Sequence, residues 1–306
     1  MTDFDPRVTV LDCAGRPLAL DRPRVMGIVN VTPDSFSDGG RHADAAAAIA
    51  HGLALVAEGA DLLDVGGEST RPGAAPVPVE EELRRVLPVV EGLVAASAVP
   101  VSIDTSRPEV MRAAVAAGAG MINDVRALRG EGALDAAAAL GVPVCLVHMQ
   151  GEPGSMQEAP HYDDVIAQVH RFLAERVFAC EMAGIDRRRL VLDPGFGFGK
   201  TLEHNLALLA GLDRFADLKL PILAGLSRKR MIGTLTGQDE PGQRLHGSVA
   251  AAVLAAERGA GILRVHDVAA TVQALAVQHA LATAAAGLPR RQAAAGPAAI
   301  RWPDED

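Results

Sequence analysis

Eight short apolar runs recur along the chain, and nearly every one stops at a polar or charged residue. The runs are 25–29, 62–65, 99–103, 121–122, 142–147, 190–192, 220–226 and 262–265. At or just past their ends stand Asn30, Glu68 to Arg71, Asp104, Asn123 with Asp124, His148, Asp193, Ser227 to Lys229, and His266. Strands this uniformly apolar are buried on both faces, as parallel strands are. Stretches with helical patterning separate them, several closed by a glycine such as Gly59, Gly118 or Gly141. Eight strand–helix units favour closure into a (β/α)8 TIM barrel over an open doubly wound sheet, and 306 residues hold one such barrel of about 250 residues. Active sites of these barrels lie where the strands end, so the polar termini read as chemistry.

The expected organisation has three parts. Residues 1–23 carry a β-hairpin around the turn Ala14-Gly15-Arg16, placed to cap the bottom of the barrel. Residues 24–287 form the barrel, and 288–306, with Arg290-Arg291, alanines and a terminal Asp304-Glu305-Asp306, read as a disordered tail. Asp44 is expected to cap a helix over 45–58, Ser106 a helix over 107–117, and 227–242 is expected to be loop.

Composition excludes some functions. Aromatic residues are 3% of the chain and the net charge is −9, which argues against a base-stacking or phosphate-tracking nucleic-acid surface. The three cysteines, Cys13, Cys145 and Cys180, form no CxxC pair and read as reduced structural thiols. No His/Cys spacing suggests a zinc site. The opening residues 1–6 are acidic and polar, and no apolar stretch reads as long enough to span a bilayer, so the expectation is a soluble, cytoplasmic protein without membrane contact.

Three separated strand ends bring Asp104, Asn123 and Asp193 to one mouth. Acceptors of this kind suit a heterocycle rich in N–H donors, although each acid can alternatively cap the helix that follows it. Ser227-Arg228-Lys229-Arg230 after the seventh strand, with Arg264 and His266 at the eighth, forms a basic cluster where barrels often hold phosphate. Its alternative is a solvated basic turn. The loop from Gly66 to Gly73 adds Arg71, an anion partner or a solvated arginine. Gly199-Lys200-Thr201 invites a phosphate-loop reading, but that motif requires glycine where Pro194 stands. His148 is open between a core residue and a support for Met149.

Taken together, Met26-Gly-Ile-Val-Asn-Val-Thr-Pro-Asp-Ser-Phe-Ser-Asp-Gly39, Asp64-Val-Gly-Gly-Glu-Ser-Thr-Arg-Pro-Gly73, Asp193-Pro-Gly-Phe-Gly-Phe-Gly-Lys200, Ser227-Arg-Lys229 and Arg264-Val-His266 resemble the dihydropteroate synthase family. The resemblance runs from about residue 24 to 285. It implies condensation of 6-hydroxymethyl-7,8-dihydropterin diphosphate with 4-aminobenzoate, with Mg²⁺ as cofactor, sulfonamides as competing ligands and a homodimeric assembly. Carried over residue by residue, it implies pterin contacts from Asp104, Asn123, Asp193, Lys229, Met149, Phe198 and Gly225. Thr70, Arg71, Arg264 and His266 would hold diphosphate, Phe36, Pro72 and Ser227 would border aminobenzoate, and Asn30 would ligate the metal. Asp104, Lys229 and Asn30 are the implied catalytic groups. Arg230 stands where relatives often carry a small residue. Two other readings are a pterin-binding methyltransferase barrel, which has no diphosphate to hold, and a non-catalytic pterin-binding homologue.

Overall fold

The computed structural model describes residues 9–31, 41–69, 76–151, 154 and 156–286, with 41–44 and 286 described by backbone alone. The chain opens with an antiparallel hairpin, β1 (Val10–Cys13) and β2 (Arg16–Ala19). Ala14 and Gly15 both take positive φ, 55° and 80°, the two-residue turn whose twist matches that of its strands. Asp12 fastens it by accepting from the Gly15 amide at 2.7 Å.

Then strands and helices alternate: β3 (Arg24–Asn30), α1 (Arg41–Ala57), β4 (Leu62–Gly66), α2 (Val79–Ala96), β5 (Val101–Asp104), α3 (Pro108–Ala116), β6 (Met121–Asp124), α4 (Ala133–Leu140), β7 (Val144–Val147) and α5 (Val165–Met182). The sequence continues with β8 (Leu190–Asp193), α6 (Leu202–Ala210), β9 (Ile222–Ala224), α7 (Arg230–Thr236), α8 (Leu245–Glu257), β10 (Ala260–Val265) and α9 (Val268–Ala286). The eight strands β3 to β10 close into a parallel barrel, β10 pairing with both β9 and β3. The expected fold, barrel and hairpin, is the one observed.

Side chains alternate across each strand, and the two faces bury different clusters. Val25, Val29, Leu63, Val65, Ile103, Ile122, Leu192 and Leu263 pack outward against the helices. Met26, Leu62, Met121, Cys145, Val191, Leu223 and Ile262 point inward and fill the lower barrel. Two residues further along the same inward rows, about 7 Å nearer the strand ends, the side chains turn polar: Asp64, Asn123, Asp193 and Arg264.

The hairpin belongs to the inward cluster. Leu11, Cys13 and Leu18 are buried with it, so β1 and β2 close the barrel's N-terminal end. The backbone of Cys13 lies so close that a Cβ on Gly120, just before β6, would sit 2.4 Å from its carbonyl oxygen. Arg16 clamps the hairpin to the β5 side, donating to the carbonyls of Ser97, Val99 and Val94 at 3.0, 2.9 and 2.8 Å. All three cysteines are free and buried, and burial pushes the Cys13 thiol up to about 12.

Four expectations are corrected. Asp44 lies inside α1, which starts at Arg41 because the alanine-rich helical run extends back past it. Ser106 does not cap α3; its hydroxyl donates to Asp124, and Arg107 takes the cap position ahead of Pro108. The stretch 227–242 contains α7, whose Met231 and Ile232 are buried; their apolar signal is masked by the adjacent basic run and Gly233. Finally, α9 is long and apolar enough, by length and composition over 268–285, to cross a membrane. Here it packs on α8 and β3 through Val268, Thr271 and Leu275, while most of that window is exposed. The expected tail lies outside the described residues.

Arg16→Ala removes three hydrogen bonds from a charged donor at once. Unfolding by urea should show a loss of about 2–3 kcal/mol, while turnover, at the opposite end of the barrel, stays within about twofold of the parent.

Candidate active site

The polar layer is built around one guanidinium. Arg264 enters from β10, donates Nε–H to Asp64 Oδ2 at 2.6 Å and an Nη2–H to Asp104 Oδ2 at 2.8 Å. Asp64 is fully buried in the middle of β4, and a carboxylate there is tolerated only when paired and hydrogen-bonded. Its Oδ2 also accepts from Asn123 Nδ2 at 3.1 Å. That bond fixes the Asn123 amide with its nitrogen toward Asp64. Asn123 Oδ1, Asp64 Oδ1 and the buried Ser102 hydroxyl then make no hydrogen bond among the described residues. Buried acceptors left in this state call for donors from a ligand or water.

Asp104 ends β5 in register with Gly66 and Asn123. Burial pushes its carboxyl up to about 7; Arg264 opposes the shift, while Asp64, Asp124 and Glu82 add to it. Asp193 ends β8, and burial likewise raises it against the pull of Lys229. Its Oδ1 accepts from the Gly195 amide at 2.7 Å, so the acid also organises the loop that follows. Lys229 reaches back over that loop, donating to the Phe196 carbonyl with its ammonium 4.4 Å above the Phe198 ring. Burial holds the Lys229 ammonium down to about 8, with Asp193 the main opposing charge. A Cβ on Gly225 would stand 4.0 Å from Lys229 Nζ and 3.9 Å from Arg264 Cβ, so bare backbone faces these two cations. Met149 is buried just past β7.

The basic run after β9 splits by function. Ser227 Oγ lies 3.0 Å from His266 Nδ1 and accepts from the His266 amide at 3.2 Å, joining the β9 and β10 ends. Arg228, at φ 56°, turns away to pair with Asp267, and its amide donates to Ser248 Oγ at 2.9 Å. Arg230 starts α7 at the exposed side. Asn30, half-buried, ends β3 opposite Gly66. Thr70, Arg71, Pro72 and Phe36 lie outside the described residues. Around the first three, Arg107 grips both flanks: it donates to Val77 O at 2.6 Å, lies 3.5 Å from Glu68 Oε1, and is rooted 3.1 Å from the buried Glu82.

Asp104, Asn123, Asp193, Lys229, Phe198, Gly225 and Arg264 therefore come together, with Ser227, His266 and Asn30 on neighbouring strand ends. Arg264, read in sequence as an anion ligand, is engaged by two carboxylates at the heart of the polar layer. Asp64 is the residue that sequence reasoning passed over. Its signal was present: a carboxylate inside the run 62–65, on the same face as Leu62.

Similarity to known proteins agrees with this layout. The family described as "Pterin binding enzyme" matches residues 26–266. The dihydropteroate synthase of Escherichia coli K12 is 56% identical over 270 residues, covering 88% of this chain and 95% of that one. A solved Xanthomonas albilineans dihydropteroate synthase with 4-aminobenzoic acid is 68% identical at a TM-score of 0.87, covering 92% and 100% of the two chains. Another from the same organism, in complex with 7,8-dihydropteroate, is 66% identical at a TM-score of 0.83, with the same coverage. The chain belongs to the pterin-binding enzymes, and among them to the dihydropteroate synthase family.

Asp64→Ala leaves Arg264 one carboxylate short and strands the Asn123 donor. Removing one partner of a buried pair costs about 3 kcal/mol or more, and chemical denaturation should read a loss of that size.

Proposed function

We propose that this protein joins 6-hydroxymethyl-7,8-dihydropterin diphosphate to 4-aminobenzoate, releasing diphosphate and forming 7,8-dihydropteroate. The observation that carries the reading is the polar layer itself: free acceptors on Asp64 and Asn123, with Asp104 and Asp193, in a well lined by Arg264 and Lys229. A pterin presents a row of N–H donors that these acceptors satisfy, and Phe198 and Met149 offer apolar contact to its faces.

In this reading Asp104, Asn123 and Asp193 hold the ring, and Lys229 donates to it. As the bond from the methylene to diphosphate oxygen breaks, the electron pair leaves with the diphosphate and positive charge spreads from the methylene into the pterin. The Asp104 carboxylate lies where that charge is stabilised, in a site preorganised by Arg264 and shielded from water. The aniline nitrogen of 4-aminobenzoate then attacks the methylene and loses its proton to solvent, a step that needs no strong base. Ser227, Phe36 and Pro72 are assigned to the aminobenzoate, where sulfonamides compete; Thr70, Arg71, Arg264 and His266 are assigned to the diphosphate.

The described residues include no group of three His, Cys, Asp or Glu arranged for a metal, while Asn30 offers a hard amide oxygen at the mouth. Such a donor fits Mg²⁺, which takes few protein ligands and keeps phosphate oxygens and waters. Held by Asn30 and the substrate, Mg²⁺ would supply neutralising charge to the leaving group. Homodimer formation is part of the proposal, supported by the exposed Leu254, Val277 and Leu281 on α8 and α9. So is a cytoplasmic location, supported by three free thiols.

Mixing both substrates with Mg²⁺ should release one diphosphate per dihydropteroate; no release would overturn the reading in favour of a binding module or methyltransferase. Asp104→Asn should lower kcat by about a hundredfold, and full turnover by that variant would remove Asp104 from the mechanism. The profile of kcat/KM against pH should be bell-shaped. Asp104 must be ionised, so activity falls as pH drops through about 7; Lys229 must be protonated, so it falls again as pH rises through about 8.

A further inference from the structure

Lys200 closes the sequence Gly199-Lys200-Thr201, where a phosphate-binding loop would present its lysine to an anion. In this fold it does the reverse. The side chain is 3% exposed and lies inside its own loop between β8 and α6. Its ammonium donates to the carbonyls of Gly195 and Phe198 at 2.8 and 3.0 Å, and lies 2.9 Å from His148 Nδ1. The His148 carbonyl lies 3.5 Å away as a further contact, and no carboxylate is among these partners. Burial pulls the Lys200 pKa well below its ordinary value, with Asp193 opposing. His148 accepts through an unprotonated Nδ1; burial and the Lys200 charge hold that ring down to about 2, so it remains a neutral acceptor.

The wrapped loop has little freedom. Gly195, Gly197 and Gly199 all take positive φ, and a Cβ on Gly195 or Gly199 would sit 1.8 Å from His148 O or 2.3 Å from Gln150 O. Asn205 ties the outside of the loop, accepting from the Gly197 amide at 2.7 Å. Between the carbonyls gripped by Lys200 lies the Phe196 carbonyl that receives the Lys229 ammonium. The Phe198 ring beneath that ammonium and the Gly195 amide on Asp193 belong to the same loop. Three groups of the heterocycle site thus take their orientation from a backbone folded around one buried lysine side chain.

We propose that Lys200 is a positioning residue for the reaction, with His148 as its neutral acceptor: it never touches substrate, and it sets Lys229, Phe198 and Asp193 against the pterin through the carbonyls of its own loop. This rests on the function proposed above. It also gives His148, the residue just past β7, a purpose that the sequence leaves open.

The test uses the full chain and Lys200→Met, which keeps the stem and removes the donor. Diphosphate release is followed while each substrate is varied, and calorimetry measures binding of the dihydropterin diphosphate directly. Losing hydrogen bonds that orient one substrate's site should raise KM and Kd for the dihydropterin diphosphate about tenfold or more, with KM for 4-aminobenzoate within about twofold. A purely structural lysine would lower the melting temperature or the active fraction and leave both KM values alone; that result, or an equal rise in both, overturns the proposal. Should Lys200→Met fail to fold, His148→Leu removes one of the three acceptors and should raise the same KM by a smaller factor; a folded His148→Leu with unchanged KM overturns it equally. Absence of diphosphate release from the parent protein would refute the proposed function alone, and the calorimetric affinities would then decide the role of Lys200 by the same tenfold criterion.

Discussion

The contact between Asp64 and Arg264 is the constraint on which the rest of the site depends. Two charges 200 positions apart in the chain meet inside the barrel at 2.6 Å, and each is tolerated there only because of the other. Because Arg264 comes from β10 and Asp64 from β4, with β3 between them, the pair spans the seam where the first and last strands close the barrel. The same guanidinium neutralises part of Asp104, and the same carboxylate turns the Asn123 amide. Charge state and hydrogen-bond polarity across the mouth follow from that one bond.

Its cost explains the state of the well. Asp64 Oδ1, Asn123 Oδ1 and Ser102 Oγ are buried without a partner among the described residues, an arrangement that a fold selected only for stability would avoid. Two acids share one guanidinium, which leaves net negative charge in a desolvated place and keeps Asp104 near neutrality in its titration. Unmet acceptors and surplus negative charge together favour a ligand rich in hydrogen-bond donors.

The barrel was legible because parallel strands buried on both faces leave uniform apolar runs, and because the polar groups stood at their ends. Asp104, Asn123 and Asp193 were readable for the same reason. Asp64 was not: one charged letter inside an apolar run looks like noise unless its partner is known, and the partner lies at the far end of the chain. Lys200 matches the end of a phosphate-loop motif, and nothing local indicates that a lysine donates to its own loop. Arg228 and Lys229 are adjacent in sequence, yet a single positive φ sends one to Asp267 and the other into the site. Helix α7 leaves no periodic signal in the sequence, because its seven residues are too few to establish one against a basic background. Ser106 fits a cap on local pattern, but Asp124 at the end of the next strand takes its hydroxyl.

The hairpin gives the barrel a floor. With Leu11, Cys13 and Leu18 seated under Met26 and Met121, the interior is a blind well with its opening at the strand ends. Everything that enters must leave by the door it came through. A molecule resting at the rim therefore blocks the exit of whatever sits deeper in the well.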